Sequence, residues 1–250
     1  MTWSHSRLNT FSQCPYQFYL KYICQADEEK MFFSEYGKFI HDILAGYHSG
    51  KITAAGALDM YLTGFADHAT GISPANDIRV SYFKQGLASM KALSPIAGKI
   101  LGIEERVSFD VFGYPFIGFV DMVYEDADNK LCILDHKSRA LKPRSTRKKP
   151  TKTDIELDFY LRQLYLYSIP IAEKYGRYPD FLEFNCYRTQ ERIKESFCLD
   201  ALNDAKRWAI STIHEIRNES EWHPDLEMWK CKYLCGFCNQ CEYTEIAEWR

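Results

Sequence analysis

Two aspartates and a lysine, carried by neighbouring predicted strands, are the side chains best placed to do chemistry. Asp121 closes the segment GFVD, while Asp135 and Lys137 belong to the segment LDHK. Because alternate residues of a strand project to one face, Asp135 and Lys137 share a side that is otherwise apolar. Burying an unpaired carboxylate in such a setting is costly, so a cation or hydrogen bonds must compensate the charge.

Hydrolysis of a phosphodiester is the reaction that this trio suits best. Carboxylates hold a hard divalent cation, and the cation lowers the pKa of a bound water. A neighbouring lysine can orient that water and offset negative charge in the transition state. Asp121, Asp135 and Lys137 match these roles. A structural ion pair between Asp135 and Lys137 is the alternative that these residues alone leave open.

Further polar side chains are spaced so that they could join such a site. Glu105 lies in the apolar-facing register of its strand and is a candidate metal-binding or water-orienting carboxylate, although exposure could reverse the choice between it and the adjacent Glu104. His41 borders the apolar stripe of an early helix. Gln163 and Tyr167 are four residues apart on a later helix and therefore share one face.

Four of the nine cysteines crowd the segment near the C-terminus in the pattern C-x3-C-x2-C-x2-C. They are Cys231, Cys235, Cys238 and Cys241. Thiolates at this spacing suit a soft metal, either Zn2+ or an iron–sulfur cluster, and the segment taken alone favours a zinc knuckle. The odd cysteine count and the absence of a secretion signal argue against a disulfide framework.

The elements that must position these residues follow from hydrophobic periodicity. The helical period predicts helices over residues 6–23, 35–48, 54–69, 77–100, 154–175 and 200–218. Pro15 opens a second helix in the first of these ranges, and Pro95 breaks the range 77–100. Alternation predicts a hairpin from residue 103 that turns at 113–115, a strand at 130–138, and a strand pair at 181–187 and 192–199. The order of elements indicates an α/β fold.

The formal net charge of −3 and the sequence pI of about 6.2 exclude a positive field over the whole molecule as the basis of nucleic-acid binding. A local patch is available at residues 142–152, where KPRSTRKKPTK holds six basic and no acidic residues. No apolar run is long enough to span a bilayer, and the N-terminus lacks the order of a secretion signal. We therefore expect an intracellular protein that needs no membrane, in the cytoplasm or on the nucleoid, or a viral protein in host cytoplasm.

The order of these motifs resembles the RecB-like branch of the PD-(D/E)XK nuclease superfamily. Glycine-x-x-x-histidine, an aspartate in a GFVDMV strand, Asp-x-Lys on the next strand and Gln-x-x-x-Tyr on a helix occur in that order, and the opening SRLNTFSQCPYQFYLKY is also similar to that branch. The resemblance runs from Ser6 to Cys241. It implies a restriction-endonuclease-like core, with a mixed central sheet flanked by helices, an N-terminal helical insertion and a C-terminal cysteine-rich metal-binding tail.

Carried over residue by residue, the resemblance also implies roles. The ligands of Mg2+ or Mn2+ become His41, Asp121, Asp135 and the backbone carbonyl of His136. Lys137 becomes the catalytic lysine, while Gln163 and Tyr167 line the site and contact the DNA. Position 135 holds Asp, one of the two acids that the superfamily formula allows.

The iron–sulfur nucleases of this branch, such as the CRISPR-associated RecB-like exonucleases and the AddB nuclease domain, use one upstream and three downstream cysteines. The resemblance therefore implies a 4Fe-4S cluster held by Cys14, Cys231, Cys235 and Cys241, with Cys238 as an alternative ligand. The downstream spacing C-x3-C-x5-C departs from the common C-x2-C-x5-C of the family. The other four cysteines are expected to be packed thiols.

The resulting expectation is a single nuclease domain over residues 1–250, with a helical part at 1–100, a catalytic core at 101–199 and the cluster tail at 200–250. Its substrate would be DNA, single-stranded or with free ends, cut by exonuclease action in DNA repair or recombination. The chain has no G-x4-G-K-[ST] loop, so a helicase or recombination partner would supply any unwinding. The alternative is a catalytically silent or zinc-containing DNA-binding subunit, and a metal hydrolase acting on other substrates is disfavoured.

Overall fold

A five-stranded mixed sheet lies at the centre of the structure, a computed structural model that describes residues 1–246. Its order β1-β2-β3-β4-β5 follows the chain: β1 (Gly98–Val111), β2 (Tyr114–Asp126), β3 (Leu131–His136), β4 (Phe181–Cys186) and β5 (Glu191–Ser196). Strands β3 and β4 pair in parallel, and the other neighbours pair antiparallel. A parallel pair needs a crossover connection, which here contains helix α6 (Lys152–Tyr175).

Helices precede and follow the sheet. Before it come α1 (His5–Gln13), α2 (Pro15–Phe18), a π-helical turn (Tyr19–Ile23), α3 (Phe32–His48), α4 (Ala54–His68) and α5 (Asn76–Lys91). After it come α7 (Leu199–Asn218), α8 (Met228–Tyr233), a 3-10 turn (Cys238–Gln240) and α9 (Glu242–Ile246). Among the described residues, no helix combines the length and the apolar composition needed to cross a membrane.

The main core fills the space between the sheet and the helices α1, α6 and α7. Leu8, Leu161 and Ile213, one from each helix, are buried with Val120 and Phe184 of the sheet. A second buried cluster joins α3, α4 and α5 through aromatic side chains such as Tyr36 and Tyr61. Helix α3 is therefore anchored through the second core, whereas the sheet is anchored through the first.

Local signals explain the ends of the helices next to the site. Thr151 caps α6, and the Asp154 side chain reaches back to the Thr151 backbone N–H, so both members of a capping box are present. Pro15 opens α2 at its first turn, as the sequence predicted, and Cys14 Sγ accepts a hydrogen bond from the Gln17 N–H at 3.4 Å.

The predicted α/β fold with a mixed sheet and flanking helices is confirmed, and the bounds of several elements differ, two of them near the first hairpin. The helix expected over 77–100 ends at Lys91, before Pro95, and the chain re-enters as β1 at Gly98. The hairpin turns at Phe112 and Gly113, which both have positive φ values (51° and 86°) suited to a two-residue turn, so that Tyr114 and Pro115 belong to β2.

Candidate active site

The acidic residues meet where β2 and β3 run side by side. Met122 pairs with Leu134, so one further residue along the same register Asp121 faces Asp135. The N–H of His136 donates to Asp121 Oδ2 at 2.7 Å, which fixes the carboxylate against the next strand. Both carboxylates are buried, with 9% and 4% of their surface exposed. The sheet thus places two acids together in a setting of low polarity.

His41 of α3 completes a compact group with Asp121 and Glu104, whose ligand atoms all lie within 4.8 Å of one another. His41 Nδ1 is 3.4 Å from Asp121 Oδ2 and 3.8 Å from Glu104 Oε1. Its Nε2 donates to the backbone carbonyl of His136 at 3.0 Å. The donor set of one imidazole nitrogen and carboxylate oxygens suits a hard or borderline divalent cation. No other group of this kind occurs within the described residues 1–246.

The charges of this group confirm that it is a crowded acidic site. Burial lowers the pKa of His41, but the carboxylates of Glu104, Asp121 and Asp135 outweigh it and raise that pKa to about 9. Burial first, and then the nearby Asp135, raises the pKa of Asp121 to about 7 despite the opposing effect of His41. The site therefore retains protons near neutral pH that a divalent cation would displace.

Lys137 lies on the other side of Asp135. Its Nζ is 2.7 Å from Asp135 Oδ2 and donates to Gln163 Oε1 at 3.2 Å. The Gln163 amide in turn donates to the Tyr167 hydroxyl at 3.4 Å. Asp135 stays outside the compact group around His41, and its closest charged partner is the lysine. The predicted Asp-x-Lys and Gln-x-x-x-Tyr motifs thus form one chain of polar contacts.

Gly118 on β2 makes room for this arrangement. A Cβ built there would lie 2.4 Å from the ring of Tyr167, a contact that real Cβ atoms do not make. Tyr167 itself is buried, and burial raises the pKa of its hydroxyl to about 12, so the hydroxyl remains protonated. Glycine at position 118 therefore lets α6 bring its tyrosine against the strand that carries Asp121.

Glu104, rather than Glu105, reaches the site. Glu105 pairs with Lys174 at the end of α6, and a bulge shifts the register of β1 between Ile100 and Gly102. Glu104 adopts a left-handed backbone conformation with φ of 47°, which breaks the strict alternation that the sequence argument assumed. Of the two carboxylates between which the sequence left the choice open, Glu104 is therefore the one beside His41, and no periodicity in the sequence signals this.

A cavity of about 610 Å³ opens over these residues. Its walls include His41, Asp121 and Gln163 together with Gly37 of α3. Phe119 of β2 also lines it and is 54% exposed, an unusual position for a large apolar side chain in a strand. The cavity gives solvent and a substrate access to the acidic group from outside the sheet.

The basic side chains in and beside the segment 142–152 fall into two groups, those that form ion pairs and those that do not. Arg144 pairs with Asp158 and Glu195, and Arg139 just before the segment contacts Glu156. Five further basic side chains are exposed and make no ion pair within the described residues: Lys152 at the start of α6, and the four loop residues Lys142, Arg147, Lys148 and Lys149. These four leave positive charge in the loop that follows β3.

The cysteine-rich tail meets the N-terminal helices at a second cluster. Cys14, Cys231, Cys235, Cys238 and Cys241 line one small cavity, and no three of their sulfurs approach within 4.8 Å in the described part of the chain. Four cysteines lie elsewhere: Cys132 and Cys186 are buried as predicted, whereas Cys24 and Cys198 are exposed. The upstream cysteine that the sequence singled out, Cys14, thus joins the four downstream ones.

Comparisons with known proteins agree on the fold. A family model described as the PD-(D/E)XK nuclease superfamily matches residues 2–246. The solved structure titled "Putative exonuclease" from Eubacterium rectale is similar with a TM-score of 0.53 and 12% identity, covering 100% of this chain and 94% of that one. The structure of SSO0001, at 17% identity over 97% of this chain and 86% of that one, has a TM-score of 0.38, too low to bear on the argument. The search of curated proteins gave no match.

Proposed function

Since the chain belongs to the PD-(D/E)XK nuclease superfamily, we propose that it is a metal-dependent deoxyribonuclease that acts as an exonuclease on single-stranded DNA or DNA ends. One observation carries the proposal. The acidic group of His41, Glu104 and Asp121 lines an open cavity and adjoins the Asp135–Lys137 pair. An isolated structural ion pair would need neither the second acidic group nor the cavity.

Each residue has a defined task in this proposal. His41, Asp121, Asp135 and the carbonyl of His136 are the proposed ligands of Mg2+ or Mn2+, and Glu104 is added to them because of its distance of 3.8 Å to His41. The bound ion supplies Lewis acidity and a water of lowered pKa. Lys137 holds a positive charge beside Asp135, where it can orient the attacking water and offset charge on the phosphate.

Gln163 and Tyr167 position the lysine and contact the DNA. The amide oxygen of Gln163 accepts from Lys137, so the ammonium is held between an amide and a carboxylate. Tyr167 fixes the Gln163 amide from the opposite side. These two residues therefore restrict the rotamers of Lys137, which favours catalysis because the charge is in place before the substrate arrives.

The five-cysteine cavity supports a 4Fe-4S cluster held by Cys14, Cys231, Cys235 and Cys241, with Cys238 as the alternative ligand. Five thiols at one cavity supply the four ligands that either a four-iron cube or a tetrahedral zinc ion requires. Zn2+ bound by four of the same thiols is the alternative.

The preference for single strands and ends rests on charge and position. The exposed basic side chains follow β3 directly, so they can contact phosphates on the strand that leaves the site. A helicase or recombination partner would supply such a strand in DNA repair, in the cytoplasm or on the nucleoid. We propose that residues 1–250 act as one domain, since α3, the sheet and the tail all contribute to these two sites.

The test is cleavage of end-labelled DNA by the wild type and by Lys137→Ala, with Mg2+ or Mn2+ and with linear and circular, single- and double-stranded substrates. We expect metal-dependent cutting of linear single strands, its loss in Lys137→Ala, and little cutting of circles. Lys130→Ala is the matched control, because Lys130 is an exposed lysine at the opposite end of β3. A folded, metal-loaded wild type that binds DNA and cuts nothing would instead favour a catalytically silent DNA-binding subunit.

A further inference from the structure

A second cavity, of about 550 Å³, lies beside the active site, and the proposed hydrolysis gives it no task. We refer to it as the aromatic cavity. Its walls combine aromatic, basic and small polar side chains from five parts of the chain: Phe33 of α3, Tyr82 of α5, Ser138 and Arg139 after β3, Arg188 after β4 and Trp229 of α8. No acidic side chain is among the described residues that line it.

The aromatic side chains form a continuous surface. The ring centroids of Phe33 and Trp229 are 5.8 Å apart, and those of Phe33 and Tyr82 are 5.3 Å apart. Trp229 is 46% exposed, so much of its indole faces solvent at the mouth of the cavity. A large exposed aromatic surface that is joined to others is uncommon on a protein without a ligand for it.

A guanidinium completes this surface. Arg188 stacks over the ring of Tyr82 at 4.2 Å, and its Nε donates to the carbonyl of Ser138 at 2.7 Å. Among the described residues, no carboxylate pairs with Arg188. Its partners are therefore an aromatic face, the Ser138 carbonyl and the amide oxygen of Gln85, all of them uncharged, which leaves the guanidinium able to attract a phosphate or the face of a base.

The aromatic cavity is connected to the catalytic centre by two parts of the chain. Ser138 and Arg139 follow Lys137 directly, so the backbone that leaves the catalytic strand becomes a wall of the cavity. On α3, residues 33, 37 and 41 lie on one face at intervals of one turn. Phe33 is eight residues from His41, which corresponds to about 12 Å along the helix axis, the reach of a few nucleotides.

From these observations we propose that the aromatic cavity binds an unpaired nucleotide a few positions away from the scissile phosphate, with the base stacked on Trp229 and Phe33 and a phosphate near Arg188. This deepens the proposed function and rests on it. Stacking on aromatic faces tolerates every base, and a base held in a duplex cannot enter such a cavity, so the site selects single strands without reading their sequence.

The location of Trp229 ties this selection to the cysteine cluster. Trp229 stands two residues before Cys231 on the short helix α8, and a metal bound by Cys231 would hold the helix in place. A loss of the bound metal should therefore weaken binding of single strands as well as stability, because the stacking surface loses its outer wall.

The experiment is equilibrium binding of a fluorescein-labelled single strand and of a blunt duplex of equal length to the full chain, without added divalent cation and at fixed salt, by fluorescence anisotropy. We expect Trp229→Ala to weaken single-strand binding by about tenfold while duplex binding changes little. Trp229→Phe should restore most of the affinity. Met228→Ala is the matched control, since Met228 is equally exposed on the same helix and does not line the cavity.

A scan of abasic nucleotides makes the test specific. In the wild type one position of the strand should weaken binding when its base is removed, and in Trp229→Ala removal of that base should have no further effect. Unchanged single-strand binding in Trp229→Ala, or equal losses for both DNAs, overturns the proposal. In that case, cutting that still depends on Lys137 would leave the nuclease assignment intact and make the surface a docking face for another protein.

Discussion

The active site around His41, Asp121 and Asp135, which we call the active-site corner, and the cysteine-rich tail are held in place by different contacts. His41, Asp121 and Asp135 are carried by α3, β2 and β3, whose inner faces are buried in the two cores. The tail consists of α8, a 3-10 turn and α9, of six, three and five residues. Helices that short have little stability of their own. We therefore expect the corner to be built before any ion binds, and the tail to depend on a bound metal.

The contacts of the tail support this difference. The Glu29 N–H donates to the carbonyl of Gly236 at 2.8 Å, and Lys230 Nζ donates to the carbonyl of Gln13 at 2.7 Å. Phe237 is buried, but the neighbouring large apolar side chains Trp229 and Leu234 are each 46% exposed. Few buried apolar contacts therefore hold the tail to the body of the protein, and a bound metal is the obvious remaining source of stability.

The largest effect should come from Asp121→Asn. The amide keeps the shape of the side chain and can still accept the His136 N–H, but it removes a proposed metal ligand, so we expect cleavage to fall by about 10³-fold or more. The melting temperature of the metal-free protein should stay the same or rise, because a buried carboxylate with a raised pKa opposes folding. Parallel measurements of cleavage and thermal unfolding decide this; a large fall in melting temperature would contradict a preformed corner.

Cys14→Ser should show the opposite behaviour in the tail. We expect loss of bound metal and a decrease in melting temperature of about 10 °C or more, since a structural metal contributes folding energy directly. Activity should fall only as far as the folded fraction and the strand binding fall. Cys24→Ser is the control, because Cys24 is exposed and does not line the cysteine cavity. Iron and zinc analysis with the visible spectrum identifies the metal; a fully stable Cys14→Ser protein would show that the tail needs none.

Two substitutions, Glu104→Gln and Glu105→Gln, test which of these adjacent carboxylates binds the metal ion in the active-site corner. Glu104→Gln should weaken the affinity for Mg2+ by about ten- to a hundredfold, as expected for a carboxylate beside the ion. Glu105→Gln should leave that affinity close to the wild-type value, because Glu105 pairs with Lys174. Calorimetric titration with Mg2+ separates the two variants. If Glu105→Gln instead weakens the affinity for Mg2+ more than Glu104→Gln does, Glu105 is the metal-binding carboxylate, as strand alternation alone predicted.

The sequence could predict the site residues that lie in regular strand register, but not those that depend on irregular backbone or on contacts between distant parts of the chain. Asp121, Asp135 and Lys137 follow from strand alternation, and the register of β2 and β3 brings them together without irregularity. Glu104 could not be chosen over Glu105, because its left-handed backbone and the bulge in β1 depend on tertiary packing. The aromatic cavity gave no signal at all, since Phe33, Tyr82, Arg188 and Trp229 are distant in sequence and meet only in the fold.

The smallest predicted effect concerns Gly37, which lies on α3 midway between Phe33 and His41. A Cβ at this position would meet no atom within 4 Å, and Gly37 lines the catalytic cavity. Alanine in a helix interior is more stable than glycine by about 0.5–1 kcal/mol, so Gly37→Ala should raise the melting temperature by roughly 1–4 °C. If the open space is the path of the DNA strand, the same change should slow cleavage by raising KM several-fold.

If Gly37→Ala is more stable and less active than the wild type, the space beside position 37 serves the substrate strand and is not needed for packing of the protein. Gly56→Ala on α4 is the matched control, because its Cβ would make an ordinary contact of 3.5 Å with Thr53 and Gly56 does not line the cavity. It should gain stability and leave KM unchanged. If Gly37→Ala is also fully active, the strand does not pass over this turn of α3, and the corner and the aromatic cavity must be connected along the Ser138 backbone alone.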